Sequence, residues 1–216
     1  MSDFFASKAF EWLSTNNDSN DAEILTDLGY LYDNGIGCVK DYVAACFWYK
    51  KAVEKGSSDA KYLLGVNYFY GLGVEENQEF AIELYWESAK SGNASAQYCL
   101  ALQYANGEGV ERDYEEAVYW YQKSAELGNT SAQCLLAWQL IDGKGVERDY
   151  EQAVYWYSKA ALLGNEKAMR NLGLMYKYGE GVKQNDVQAS YWYSKAAELS
   201  EIVQYDLIEQ VFAKDF

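Results

Sequence analysis

The chain has 216 residues, half of them apolar and 17% aromatic, with 21 tyrosines, no proline and no histidine. Its 18 basic side chains against 33 acidic ones leave a formal charge of −15, which repels nucleic-acid phosphates and anionic lipid surfaces and makes a basic protein or peptide the expected partner. Four cysteines without a CxxC spacing, and no histidine to supply nitrogen ligands, argue against zinc and for four reduced thiols; no cofactor is expected.

Residues 107–129, GEGVERDYEEAVYWYQKSAELGN, are written again at 143–165 as GKGVERDYEQAVYWYSKAALLGN, an offset of 36 residues. The same frame carries GxG pairs at 35/37, 71/73, 107/109, 143/145 and 179/181, and it places Trp12, Trp48, Trp120, Trp156 and Trp192 in one phase with Leu84. A fixed period of this kind means repeated units that bury their faces against one another.

In chain order, residues 1–20 read as an N-terminal capping helix and a polar turn, NNDSN, because Ala9 and Trp12 fall in phase with Ala45 and Trp48. Five units follow, 21–56, 57–92, 93–128, 129–164 and 165–200. Each opens a first helix near a polar cap, Ser57, Asn93, Asn129 or Asn165. Helical spacing then runs through Ala96, Leu100 and Tyr104, Ala132, Leu136 and Leu140, or Ala168, Leu172 and Tyr176. Beside each leucine stands a small residue, Gly29, Gly65, Ala101, Ala137 or Gly173, which predicts close helix–helix contact.

The GxG pair ends the first helix and turns the chain, and Val74, Val110, Val146 or Val182, with Cys38 in the first unit, plugs the turn. A phosphate cradle is a poor reading of these glycines, which recur five times with no GK[ST] and no preceding strand. The second helix opens at Asp41, Asn77, Asp113, Asp149 or Asn185. Its buried stripe is expected at Ala117, Trp120, Tyr121 and Ser124, repeated as Ala153, Trp156, Tyr157 and Ala160. Gly56, Gly92, Gly128 and Gly164 close it. Residues 201–216 lack glycine and are expected to form a C-terminal capping helix. No stretch approaches the roughly 20 apolar residues of a membrane span, and the acidic N-terminal residues do not resemble a secretion signal, so a cytoplasmic address is expected.

The run Ala168, Leu172, Gly173, Tyr176, Gly179, Gly181, Val182, Ala189, Trp192, Tyr193, Lys195, Ala196 and Ala197, recurring with local departures over 21–200, resembles the Sel1-like repeat, a relative of the tetratricopeptide repeat. The resemblance implies an all-α fold, with antiparallel helix pairs stacked as a right-handed superhelical α/α solenoid and terminal capping helices. It also implies a scaffold or adaptor without chemistry of its own, whose first helices line a concave face.

With the leucine as register, residues two before and two, five and six after it are expected on that face. The candidate contacts among them are Tyr30, Asp33, Tyr62, Phe69, Tyr70, Tyr98, Trp138, Asp142, Arg170, Lys177 and Tyr178. Tyr and Trp supply large contact area at little ordering entropy, which suits a peptide or helix guest. Tyr62 and Tyr98 could equally pack between neighbouring first helices. Asp33 and Asp142 lie in earlier units and Arg170 and Lys177 in the last, a polarity that fits a partner with a basic stretch and an acidic end. A more specific form of this reading is an acidic inhibitor or immunity protein that neutralises a basic toxin enzyme.

Catalysis would have to rest on carboxylates or a thiolate, but Glu111 with Asp113 and Glu147 with Asp149 recur at equivalent loop positions, which is the pattern of helix capping. These acidic loops also lack the ligand count of a calcium loop.

Overall fold

Polar caps and glycines cut most of a helix-forming sequence into helices of 13 residues. The computed structural model describes residues 2–15 and 21–212, and among these it contains eleven helices and no strand. They are α1 (Ser2–Thr15), α2 (Ala22–Asn34), α3 (Tyr42–Glu54), α4 (Ser58–Tyr70), α5 (Gln78–Lys90), α6 (Ala94–Asn106), α7 (Tyr114–Glu126), α8 (Thr130–Asp142), α9 (Tyr150–Leu162), α10 (Glu166–Tyr178) and α11 (Asp186–Phe212). The polar turn expected at Asn16–Asn20, and residues 213–216, lie outside the described residues. Two compact units result, Met1–Arg112 with α1 to α6 and Asp113–Phe216 with α7 to α11.

The caps operate as the sequence predicts. Ser57 accepts from Ala60 N at 3.0 Å, Asn129 from Ala132 N at 2.9 Å and Asn165 from Ala168 N at 3.0 Å. On the second helices, Asp113 accepts from Glu115 N and Glu116 N, and Asp149 from Gln152 N. Each cap satisfies backbone donors that the helix cannot, an effect of about 1 kcal/mol. First helices end at Gly35, Gly71, Gly107, Gly143 and Gly179, all left-handed. The N–H of Gly107 returns to Gln103 O at 2.8 Å, which takes up an orphan carbonyl.

Within a repeat the two helices meet where a tyrosine ring lies on a glycine. A Cβ on Gly29 would fall 2.6 Å from the Tyr49 ring, one on Gly65 2.9 Å from Tyr85, and one on Gly173 2.8 Å from Tyr193. Tyr49, Tyr121 and Tyr157 are among the largest fully buried side chains. Leucines complete the layer, with Leu28, Leu64 and Leu100 buried in the first unit and Leu136 and Leu172 in the second.

Between repeats the contact is backbone on backbone. A Cβ on Gly73 would stand 2.3 Å from the Tyr42 carbonyl, on Gly145 2.1 Å from that of Tyr114, and on Gly181 2.2 Å from that of Tyr150. These three GxG loops therefore sit on the opening turn of the preceding second helix, whereas a Cβ on Gly109 would meet the Ile82 side chain at 2.4 Å instead of a carbonyl. Gly37 makes the same approach to the Ala6 carbonyl, at 2.3 Å, so α1 occupies the place of a second helix, as its phase predicts. Trp12 nevertheless stays 57% exposed, while Trp120 and Trp156 keep only 6% and 8%.

The C-terminal segment differs from the expectation of a separate capping helix. Residues 201–212 continue α11, which runs unbroken for 27 residues. Where other second helices stop at glycine the chain has Ser200, whose hydroxyl donates back to Ala196 O at 3.1 Å and lets the helix pass through. No helix among the described residues is long and apolar enough to cross a membrane.

Two glycines of similar φ separate backbone strain from packing. Gly92 (φ +89) has nothing within 4 Å of an added methyl, whereas Gly73 (φ +70) has a carbonyl at 2.3 Å. Gly92→Ala should cost about 1 kcal/mol of strain and Gly73→Ala about 3 kcal/mol once the clash is added. Urea unfolding midpoints of the two variants check this, and equal losses would show that the inter-repeat approach carries no stability.

Candidate partner-binding faces

Neighbouring first helices within a unit are joined edge to edge by polar side chains. In the first unit Thr26 Oγ1 and Ser57 Oγ lie 2.9 Å apart, Asn67 Nδ2 donates to Asp33 Oδ1 at 3.2 Å, and Asn93 Nδ2 donates to Asp59 Oδ1. In the second, Asn165 Nδ2 donates to Thr130 O at 3.3 Å. These bonds draw successive first helices together, so the side chains between them are covered.

That covering decides which expected contacts reach solvent. The position two before the leucine is largely lost to packing: Thr26 and Cys134 are buried and Tyr62 and Tyr98 half-buried, leaving Arg170 as the exposed member. Tyr62 instead packs 6.2 Å from the Tyr85 ring and hydrogen-bonds Cys99 on the next first helix. Four large aromatics do stand out: Tyr30 is 46% exposed, Tyr70 65%, Trp138 51% and Tyr178 64%. Phe69 is half-buried with its ring edge-on to Tyr70, and Asp33 and Asp142 are half-buried as well.

A position missed by the sequence reading lies one turn nearer each helix start. Of the five residues that stand five before the leucine, Glu23, Asp59, Ser131 and Lys167 are exposed and Ser95 is half-buried. The exposed four fall seven residues before Tyr30, Val66, Trp138 and Leu174, so helical periodicity alone could have placed them on the same stripe.

The two faces carry opposite charge. On the first unit Asp21, Glu23 and Asp27 gather at the start of α2, and Asp27 has its carboxyl pushed up by burial and by the repulsion of Glu23 and Asp21. On the second unit Lys167, Arg170 and Lys177 are exposed along α10, and Asp142 is held by Lys144 at 2.6 Å. The capping carboxylates Asp113 and Asp149 are engaged by helix N–H groups. Among the described residues no group of three metal-ligating side chains converges.

Five stretches, 23–57, 58–93, 94–129, 130–165 and 166–201, match the Sel1 repeat, and the chain belongs to that family. Sel1 repeats typically mediate protein–protein interaction and are generally not catalytic. Among solved structures the chain is similar to a protective antigen present in uropathogenic Escherichia coli strains, with 38% identity, 88% of this chain and 40% of that one covered, and a TM-score of 0.81. It therefore spans less than half the length of that antigen. It is similar to a Sel1 repeat protein from Oxalobacter formigenes, with 29% identity, coverage of 90% and 82%, and a TM-score of 0.80. It shares its fold with an immunity protein from Pseudomonas aeruginosa at 18% identity, coverage of 88% and 72%, and a TM-score of 0.59. No curated protein sequence gives a significant match.

Buried hydroxyls and thiols between the helices make the stability pH-dependent. Burial raises Tyr62 to about 12, with the Cys99 charge and hydrogen bond adding to it, and burial raises Cys99 to about 11. Burial likewise pushes Tyr49, Tyr85 and Tyr157 well up. An unfolded chain loses these protons first, so their contribution is complete below the unfolded values of 9.0 and 10.0 and fades as pH rises through the folded ones. The melting temperature should be level up to about pH 8 and fall steeply above about pH 10. Tyr62→Phe with Cys99→Ala should make that fall shallower, and an unchanged melting temperature in strong alkali would refute the assignment.

Proposed function

We propose that the chain is a non-catalytic scaffold or adaptor that binds a partner polypeptide on the exposed faces of its first helices. The observation that carries this is the set Tyr30, Tyr70, Trp138 and Tyr178. These are large aromatics left 46–65% exposed at positions where the repeat needs no ring. Exposing them opposes the hydrophobic effect, and a guest that covers them recovers it. Their phases carry other residues in other units, Val66 and Leu102 at the Trp138 position and Asn34 and Asn106 at the Tyr178 position, which fits selection for a partner rather than for folding. Four free cysteines suit a reducing, cytoplasmic setting.

A second reading is an acidic inhibitor or immunity protein that neutralises a basic toxin enzyme. The formal charge of −15 and the acidic first-unit face support it, and so does the fold shared with the Pseudomonas immunity protein. Steep salt sensitivity of a complex with one basic enzyme would favour it over a general adaptor.

Site-specific photo-crosslinking tests the shared core of both readings. A photoreactive phenylalanine at Tyr70 or Trp138 should capture one discrete polypeptide in the source cells. The same probe at Tyr119, an exposed ring on a second helix, should not. Capture at Tyr119 with none at Tyr70 and Trp138 would place the interaction elsewhere.

A further inference from the structure

We infer that the α8/α10 face of the second unit takes an acidic segment of its partner, one that also carries bulky apolar side chains. This rests on the reading of first-helix faces as polypeptide-binding surfaces and gives one of them a chemistry. On a chain of charge −15 the expected guest is basic. The α10 face departs from that overall charge, in the sense of the Arg170 and Lys177 polarity already visible in the sequence.

Lys167, Arg170, Leu174, Lys177 and Tyr178 follow one another at helical spacing along α10, and all are exposed. No carboxylate in this row is free to balance them. Glu166 is taken by Arg170 at 2.8 Å, and Ser200 and Arg170 together hold its carboxyl below the usual range. Asp142, at the end of α8, is taken by Lys144. Lys167 and Lys177 meet no carboxylate at ion-pair distance among the described residues. Lys177 Nζ lies 5.5 Å from the centroid of the Tyr178 ring, so its charge is carried beside an exposed aromatic.

Lys167 faces α8 rather than open solvent alone, because it lines one surface pocket with Thr130 and Ser131 at the start of α8. Ser131 lies seven residues before Trp138, on the same stripe of α8, so the cation stands beside the stripe from which Trp138 projects. The face therefore offers apolar anchors, Trp138 at 51% and Leu174 at 43% exposure, with two ammonium groups that form no ion pair among the described residues. A segment whose Asp or Glu alternates with Leu or Phe would satisfy both, while a lysine-rich one would meet like charge. The first unit has Glu23 and Asp59 where α10 has Lys167, so the complementarity belongs to the second unit alone.

The test uses the full chain and three fluorescein-labelled peptides with the same leucine and phenylalanine positions. Their polar positions are all Glu, all Gln or all Lys, and binding is read by fluorescence anisotropy. The Glu peptide should bind about tenfold tighter than the Gln peptide, added salt should narrow the gap, and any binding of the Lys peptide should be untouched by Trp138→Ala. Lys167→Glu with Lys177→Glu should abolish the preference for Glu over Gln. Both lysines are exposed, so the variant's melting temperature should match the parent's. Trp138→Ala should weaken the Glu and Gln peptides alike. Equal binding of Glu and Gln peptides, or a preference that survives the double lysine variant, would overturn the acidic-segment inference and leave polypeptide binding standing. Failure of all three peptides to bind would overturn both for this face.

Discussion

The structure depends on a tyrosine ring lying flat against a residue without a side chain. Tyr49 on Gly29, Tyr85 on Gly65 and Tyr193 on Gly173 bring three of the five helix pairs so close that a methyl group would meet the ring inside van der Waals distance, while Ala101 and Ala137 hold the same position in the other two. A large side chain buried against a bare backbone contributes dispersion and apolar burial at once. It also leaves one permitted arrangement of the pair. The second constraint is the seat of Gly73, Gly145 and Gly181 on a preceding carbonyl, which sets the step from one repeat to the next inside each unit.

These contacts use a limited set of positions. The leucine and the small residue recur on the first helices, and the tyrosine, the caps and the GxG loop recur on the second helices and turns, where α7 and α9 are almost the same sequence. First helices are held to fewer rules on their outer stripe, and there the repeats part company. Tyr30 faces water on α2, Trp138 on α8 and Tyr178 on α10, while Thr26 and Cys134 at another expected contact phase are drawn inward. A scaffold of this kind can change its surface chemistry from acidic at α2 to cationic at α10 without disturbing the helix pairs, because the altered residues do not touch the layer that holds the pairs together.

Most of the architecture was legible in the residues. Asn93, Asn129 and Asn165 marked helix starts, the glycines marked helix ends, and the buried stripe Ala117, Trp120, Tyr121 and Ser124 followed from spacing. Each of these is a local rule about backbone hydrogen bonds or the period of a helix, so neighbours in sequence suffice to read it. The C-terminal helix was read less well. Ser200 was visible as a departure from glycine, yet its consequence is continuation of α11, since a serine hydroxyl bonding back to Ala196 leaves nothing to stop the helix.

By itself the sequence determined the 36-residue period, the helix pairs, their caps and the small residue at their close contact, because these follow from φ preferences, capping chemistry and apolar spacing within a single unit. Only the tertiary structure decided which first-helix residues remain in water. That outcome depends on how far the next repeat leans over the one before it, through bonds such as Thr26 to Ser57 and Asn67 to Asp33 that join residues more than 30 positions apart. It is the packing of neighbours, not the phase of a residue in its own helix, that buries Cys134 and leaves Trp138 exposed one turn later.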